Sequence, residues 1–99
     1  MTWSLLARDA EGRFGLAIAS RFFAVGSLCI HSQRGVGAVA TQALANPLYG
    51  PAALALLAQG HAAAAVVAAL TAADPGQAQR QVHVLGAHGA AAVHTGEGC

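Results

Sequence analysis

A long uncharged segment constrains the fold of this chain more than any other feature of its sequence. Between Arg34 and Asp74 there is no aspartate, glutamate, lysine or arginine. A surface helix normally carries a polar face, so a helix without one is expected to be buried on more than one side. Helices formed by this segment therefore need a larger apolar surface, such as a sheet, to pack against.

The most apolar part of the segment, residues 52–73, is long enough to span a bilayer. However, Gln59-Gly60-His61 interrupts it, and alanine, its main component, favours membrane insertion only weakly. We predict two buried helices instead. The first has Pro51 in its first turn and ends at Gly60, and the second covers residues 62–73 before Asp74-Pro75-Gly76. No membrane partner is expected.

Alternating or continuous apolar runs predict strands on both sides of these helices. The predicted hairpins pair residues 2–8 with 14–20, 27–31 with 36–41, and 81–85 with 90–94. The resulting order ββββααββ is typical of an α+β fold, with an antiparallel sheet and both helices on one face.

Length and charge exclude several classes of function. Ninety-nine residues form one domain, and a net charge of +1 without a basic cluster predicts no nucleic-acid partner. All five basic residues are arginine, so lysine-based Schiff-base chemistry is excluded. The sequence does not begin with the basic region and apolar core of a signal peptide, so we expect the protein in the cytoplasm. There Cys29 and Cys99 are expected as thiols, with a single bridge between them as the alternative.

Thr2 follows Met1 directly at the head of the first predicted strand. Removal of Met1 would give one residue both a hydroxyl nucleophile and a free α-amine. An α-amine titrates near about 7.7 to 8.0, so it can accept the hydroxyl proton at mildly alkaline pH. The alternative is that Thr2 is simply a common residue at this position.

Four ordered blocks of the sequence resemble the N-terminal half of the domain of unknown function 1028 family. They are residues 19–26 (ASRFFAVG), 35–42 (GVGAVATQ) and 46–51 (NPLYGP), and the pair Asp74-Pro75 with Arg80-Gln81-Val82. The family is placed in the N-terminal-nucleophile (Ntn) hydrolase superfamily. The resemblance implies a four-layer αββα sandwich, of which residues 1–99 supply a single, truncated domain. It also implies hydrolysis of a small amide or peptide-like bond by Thr2, without a cofactor.

Two residues beside Thr2 are candidates for the same chemistry. Arg21 presents a fork of donors that suits a carboxylate or an oxyanion, although it is equally compatible with a surface position. Ser20 lies opposite Thr2 if the first hairpin pairs end to end, and it would then orient the Thr2 amine. The alternative for Ser20 is an ordinary hydroxyl at the end of a strand.

Three further residues are candidates for substrate binding. Gln42 and Asn46 follow an apolar strand and would position a substrate amide, or would instead satisfy the backbone of the Pro-rich loop. Tyr49 would line a pocket, or would fill space at the start of the helix.

A third site hypothesis concerns metal binding. A turn centred on His88-Gly89 would place His83 directly opposite His94, with Cys99 as a third possible ligand. Cross-strand histidine pairs usually hold no metal, and the main expectation is that no metal is bound.

The sequence also supports a function without catalysis. Uncharged helices and a chain that ends at Cys99 are consistent with an assembly module or an inactive fragment of the fold. On either hypothesis we expect a homo-oligomer, because exposed apolar faces drive association.

Overall fold

The computed structural model describes residues 2–21 and 29–99. In these residues six strands form two antiparallel sheets, and two α-helices complete the order ββββααββ, which confirms the predicted fold class. The elements are β1 Thr2–Arg8, β2 Phe14–Ser20, β3 Ile30–Gln33, β4 Gly37–Ala43, α1 Tyr49–Ala58, α2 Ala63–Ala72, a short 3-10 helix Gln77–Gln79, β5 Arg80–Gly86 and β6 Ala92–Thr95. Met1 and the start of the predicted strand 27–31 lie outside the described residues.

Three layers make up this part of the chain. Strands β3-β4-β5-β6 form the central sheet, and the β1-β2 hairpin forms a separate two-stranded sheet. Both helices pack on one face of the central sheet, while the hairpin contacts β4 and β5 from the other side. Covered on both faces, β4 has no exposed side chain from Gly37 to Thr41. The described residues therefore form three layers in the order helices, central sheet, hairpin.

The hydrophobic core lies between the central sheet and the helices. Burial of apolar surface in this layer is the main favourable contribution to folding. Its buried members are Val39, Val82 and Val84 from the sheet and Tyr49, Ala53, Ala63, Val66, Val67 and Leu70 from the helices.

The outer faces of the helices consist largely of exposed alanine. In α2, Val66, Val67 and Leu70 point to the sheet, whereas Ala65 and Ala68 are exposed. The expectation that both helices are buried on more than one side is therefore wrong for the described chain. Alanine has the highest helix propensity and a small apolar surface, so such a face forms a helix without charged residues. Within the described residues, no helix is long and apolar enough to cross a membrane.

The last hairpin differs in register from the prediction. His83 pairs with Val93 and His94 pairs with Val82, so the two imidazoles lie on opposite faces of the sheet. The predicted metal pair is therefore wrong. The hairpin is centred on His88 itself rather than between His88 and Gly89, and a slip of one residue moves each side chain to the other face.

A partly buried ionic cluster connects the helical layer to the start of β5. The Asp74 carboxylate accepts hydrogen bonds from the Tyr49 hydroxyl, the Arg80 guanidinium and the Gly76 backbone N–H. Arg80 also donates to the Leu44 carbonyl at 2.8 Å. The hydrogen bonds from Arg80 and Tyr49 lower the pKa of Asp74. Burial, reinforced by Asp74, raises the pKa of Tyr49 to about 12.

Tyr49→Phe tests this cluster. Since a hydrogen bond to a charged group contributes about 1.5 to 3 kcal/mol, we expect a loss of that order in the free energy of unfolding at pH 7. A raised folded-state pKa contributes stability below pH 10 that is lost as the pH rises through about 12, so the variant should lack this alkaline decline. Urea denaturation at pH 7 to 12 measures both effects.

Because Tyr49 is the single tyrosine of the chain, tyrosinate absorbance follows its titration directly. A midpoint near the ordinary value of 10 in the folded protein would contradict the assignment.

Candidate active site

The first hairpin packs its polar side chains inward. Along β1, Thr2, Ser4 and Leu6 face the central sheet, while Trp3 and Leu5 are exposed. Thr2 and Ser4 would be buried at a cost if they found no hydrogen-bond partner. Their hydrogen-bond partners therefore define the polar site at this end of the hairpin.

Thr2 and Ser20 lie opposite each other at the open end of the hairpin, as the strand pairing predicts. Their hydroxyl oxygens are 2.9 Å apart and share a hydrogen bond. Arg21 follows directly, and its side chain is exposed. The structure thus places the three predicted catalytic residues at one end of the hairpin.

A cleft of about 420 Å³ opens beside Thr2, between the hairpin and the central sheet. Its lining combines hydroxyl, carboxamide, imidazole and apolar groups and contains no charged side chain. The lining residues are Thr2, Trp3, Ser4, Gln42, Gln81, His83 and Val93. The volume suits a small ligand.

A continuous hydrogen-bond network crosses from the hairpin to the sheet at the base of this cleft. Ser4 Oγ donates to Gln42 Oε1 at 2.8 Å and lies 2.8 Å from His83 Nε2. Gln42 Nε2 donates to the Thr2 carbonyl at 3.3 Å and to Gln81 Oε1. Gln81 Nε2 in turn donates to Thr95 Oγ1 at 2.9 Å. We call these four side chains, Ser4, Gln42, His83 and Gln81, the polar seam.

The side-chain NH2 group of Gln42 has no donor to spare. Both of its N–H groups are engaged, and Oε1 accepts from Ser4. Gln42 thus lines the cleft and also holds the backbone of Thr2.

His83 is the one titratable side chain of the polar seam. It is half-buried between β1 and the central sheet, and this burial lowers its pKa below the ordinary value. Near neutral pH the imidazole is therefore uncharged, with one ring nitrogen able to accept a proton.

The other two predicted substrate-binding residues lie away from the cleft. Asn46 accepts a hydrogen bond from the Leu48 backbone N–H at 3.1 Å, just before α1. Tyr49 is only 3% exposed and donates to Asp74. Both therefore have the local roles that were the alternatives to substrate binding.

The cysteines and histidines of the described residues form no metal centre. No group of three or more His, Cys, Asp or Glu side chains in the described ranges is placed to hold a metal. Cys29 is buried and Cys99 exposed, both as free thiols, so no bridge joins them. Burial raises the pKa of the Cys29 thiol, which makes it a poorer nucleophile.

A cleft of about 440 Å³ also lies near the end of α1 and carries His61 and His88. Its lining is otherwise glycine, alanine, valine and leucine, with no hydroxyl or thiol group. The cleft at Thr2 is the better candidate because it combines possible nucleophiles with an uncharged imidazole.

Three polar residues of the cleft were not predicted from the sequence as parts of this site: Ser4, its partner His83, and Gln81. Ser4 stands two residues after Thr2 in a strand, so a period of two places both on one face. This spacing was the one indication in the sequence that Ser4 lies beside Thr2. The contact with His83 joins residues 79 apart and depends on how the two sheets stack.

At the other end of β1, Arg8 fixes the hairpin to the last turn of the central sheet. Its guanidinium donates to the Gly86 carbonyl at 2.8 Å and to the Gly89 carbonyl at 2.9 Å. The Gly35 backbone N–H also donates to the Gly12 carbonyl at 3.3 Å. The polar seam and Arg8 thus hold β1 at opposite ends.

Comparison with known proteins shows the family of the chain. A model described as a family of unknown function (DUF1028) matches residues 2–99. A crystal structure of a DUF1028 protein from Silicibacter pomeroyi superposes with a TM-score of 0.91 and 33% sequence identity over 97% of this chain. The chain spans 45% of the length of that protein. No curated protein matches significantly.

Gln42→Leu tests the polar seam as a structural device. The variant keeps the approximate size but removes the hydrogen bonds of Gln42 to Ser4, to the Thr2 carbonyl and to Gln81, and leaves Ser4 with His83 alone. We therefore expect a loss of about 2 to 3 kcal/mol in the free energy of unfolding. Gln33→Leu makes the same change at an exposed position of β3 and should stay within about 0.5 kcal/mol of the parent. Equal losses in the two variants, measured by urea denaturation, would contradict this role.

Proposed function

Because the chain belongs to the family of unknown function DUF1028, we propose that it is an N-terminal-nucleophile hydrolase of a small amide or peptide-like bond, with Thr2 as the nucleophile. The observation that carries this proposal is the position of Thr2. Its hydroxyl lies 2.9 Å from that of Ser20, at the edge of a cleft with an uncharged lining. Removal of Met1 would expose the α-amine of the same residue.

The proposed reaction uses the two functional groups of Thr2 in turn. The hydroxyl gives its proton to the α-amine, and Oγ attacks the amide carbon. The C–N bond breaks, the leaving amine takes up the proton, and an ester to Thr2 remains. Water then attacks this ester, with the α-amine of Thr2 again as the base. This step releases the acid and restores the Thr2 hydroxyl.

The neighbouring residues would support this chemistry in different ways. Ser20 fixes the orientation of the Thr2 hydroxyl by their shared hydrogen bond. Arg21, next along the chain, would stabilise the oxyanion through its guanidinium donors. Gln42 and Gln81 line the cleft. They would bind the substrate amide by exchanging the hydrogen bond between them for hydrogen bonds to the substrate. An uncharged lining favours an uncharged substrate.

Thr2→Ala tests the nucleophile. Loss of the attacking oxygen should lower the hydrolysis of a panel of uncharged acyl p-nitroanilides by on the order of 10⁴-fold, whereas Thr2→Ser should retain activity. Intact mass should show that Met1 is absent from the active protein. A protein that hydrolyses these amides with Met1 in place would contradict the proposal, since the amine would be part of a peptide bond.

A second candidate function is assembly through the outer face of the hairpin, and we propose a second copy of the chain as the partner. Trp3 is 72% and Leu5 is 64% exposed on this face. Their outward neighbours on both strands are Ala7, Gly15, Ala17 and Ala19, all exposed and all uncharged. A face without charge can pack against an identical face without repulsion, as a two-fold interface requires.

Leu5→Glu tests the assembly function. Two opposed glutamates should separate the copies, so sedimentation velocity should show a shift from dimer to monomer. Leu48→Glu is a matched control, because Leu48 is 74% exposed but lies before α1. A parent chain that remains monomeric at concentrations of hundreds of micromolar would contradict this function.

A further inference from the structure

The polar seam contains a second hydroxyl with its own possible base. Ser4 Oγ lies 2.8 Å from His83 Nε2, within the range expected of a nucleophile and its general base. Both side chains line the cleft at Thr2. This pair involves neither the α-amine nor the Thr2 hydroxyl.

The Ser4 hydroxyl has one proton and two possible acceptors. When it donates to Gln42 Oε1, His83 must donate from Nε2, and the hydrogen bonds run from His83 through Ser4 and Gln42 to Gln81. The oxygen and nitrogen of a carboxamide have nearly the same shape, so both glutamines can turn over in place.

With both glutamines turned over, the direction of the network reverses. Thr95 donates to Gln81, Gln81 to Gln42, and Gln42 Nε2 to Ser4 Oγ, which frees the Ser4 proton for His83 Nε2. The reversal gives up the 3.3 Å hydrogen bond from Gln42 to the Thr2 carbonyl, turns Gln42 Oε1 toward that carbonyl, and moves the His83 proton from Nε2 to Nδ1. An acceptor left without a donor costs about 1 to 3 kcal/mol, so the reversed network is a minor but thermally accessible population.

The surroundings of His83 keep its imidazole uncharged. Ser4 faces it from β1, Ala40 is its partner on β4, and Val93 is its partner on β6. Gln42 and Gln81 complete the lining beside it, and no group in this set titrates. Among the described residues no carboxylate neighbours His83 to stabilise the imidazolium, so burial leaves the imidazole uncharged near neutral pH.

We propose that Ser4 is a second nucleophile of this cleft, with His83 as its general base, acting on uncharged esters and related acyl groups. The Ser4 proton passes to His83 Nε2 while Oγ bonds to the acyl carbon. The leaving alcohol departs with that proton, and water hydrolyses the acyl-serine. Gln42 Nε2, donating to Oγ, stabilises the developing alkoxide. The reaction is independent of the removal of Met1.

An alkyl fluorophosphonate, applied to the 99-residue chain, tests this proposal. Attack by Ser4 forms an Oγ–P bond, breaks the P–F bond and transfers the hydroxyl proton to His83. Trypsin releases an N-terminal peptide that ends at Arg8, and its fragment ions separate an adduct on Ser4 from one on Thr2. We expect the adduct on Ser4. An adduct on Thr2 alone, or none, would overturn the proposal and leave the role of Thr2 to its own test.

Variants of the pair give the second measurement. Ser4→Ala should abolish the adduct, and His83→Gln should slow labelling by about 100-fold or more, as expected for loss of a general base. Ser32→Ala, at an exposed serine of β3, should label at the parent rate. Labelling of His83→Gln at the parent rate would show that Ser4 reacts without this base, against the proposal.

The pH dependence of labelling in the parent chain keeps the proposal testable if a variant fails to fold. Protonated His83 accepts no proton, so labelling should fall as the pH drops through the folded pKa of His83, which burial places below the ordinary value. Imidazole NMR signals give that pKa independently. A labelling rate without an inflection at the His83 midpoint would overturn the assignment of the base.

Discussion

Strand β4 has to be covered on both faces, and the position of every other layer follows from that constraint. Its helix-facing side meets the apolar core at Val39, while its other side meets the hairpin. Two layers can approach a strand closely only if its side chains are small, and Gly37, Ala38 and Ala40 meet this condition. The uncharged composition of β4 and of the helix faces that meet the sheet is thus a packing requirement, whereas the exposed alanine faces of the helices are not subject to it.

The two faces of the central sheet are held by different interactions. Towards the helices, the contacts are mainly apolar, and an ionic cluster surrounds Asp74. Towards the hairpin, a continuous set of hydrogen bonds runs through Ser4, Gln42 and His83. Hydrogen bonds specify direction and distance more strictly than apolar contacts do. The hairpin interface therefore defines where the Thr2 hydroxyl lies, while the helical interface contributes most of the apolar burial.

Local chemistry explains which parts of this structure could be predicted. The first hairpin and both helices were predicted well, because residues 9–13 and Asp74-Pro75-Gly76 end the neighbouring elements. The pairing of Thr2 with Ser20 followed from that hairpin. The predicted register of the last hairpin differs by one residue from the observed one, because its glycine- and alanine-rich turn does not fix the register. Alternation alone also could not show that β1 turns its polar side inward, which only the stacking of the two sheets determines.

The two attachments of β1 also have a mechanical consequence. A strand fixed at one point can swing about it, but β1 is fixed at Arg8 and again at Ser4, near its opposite ends. Rotation about either point would have to break the other attachment. The hairpin is thus restrained near both ends of β1. Thr2 lies two residues before the Ser4 attachment, so we expect its displacement to be small although Thr2 is not enclosed on every side.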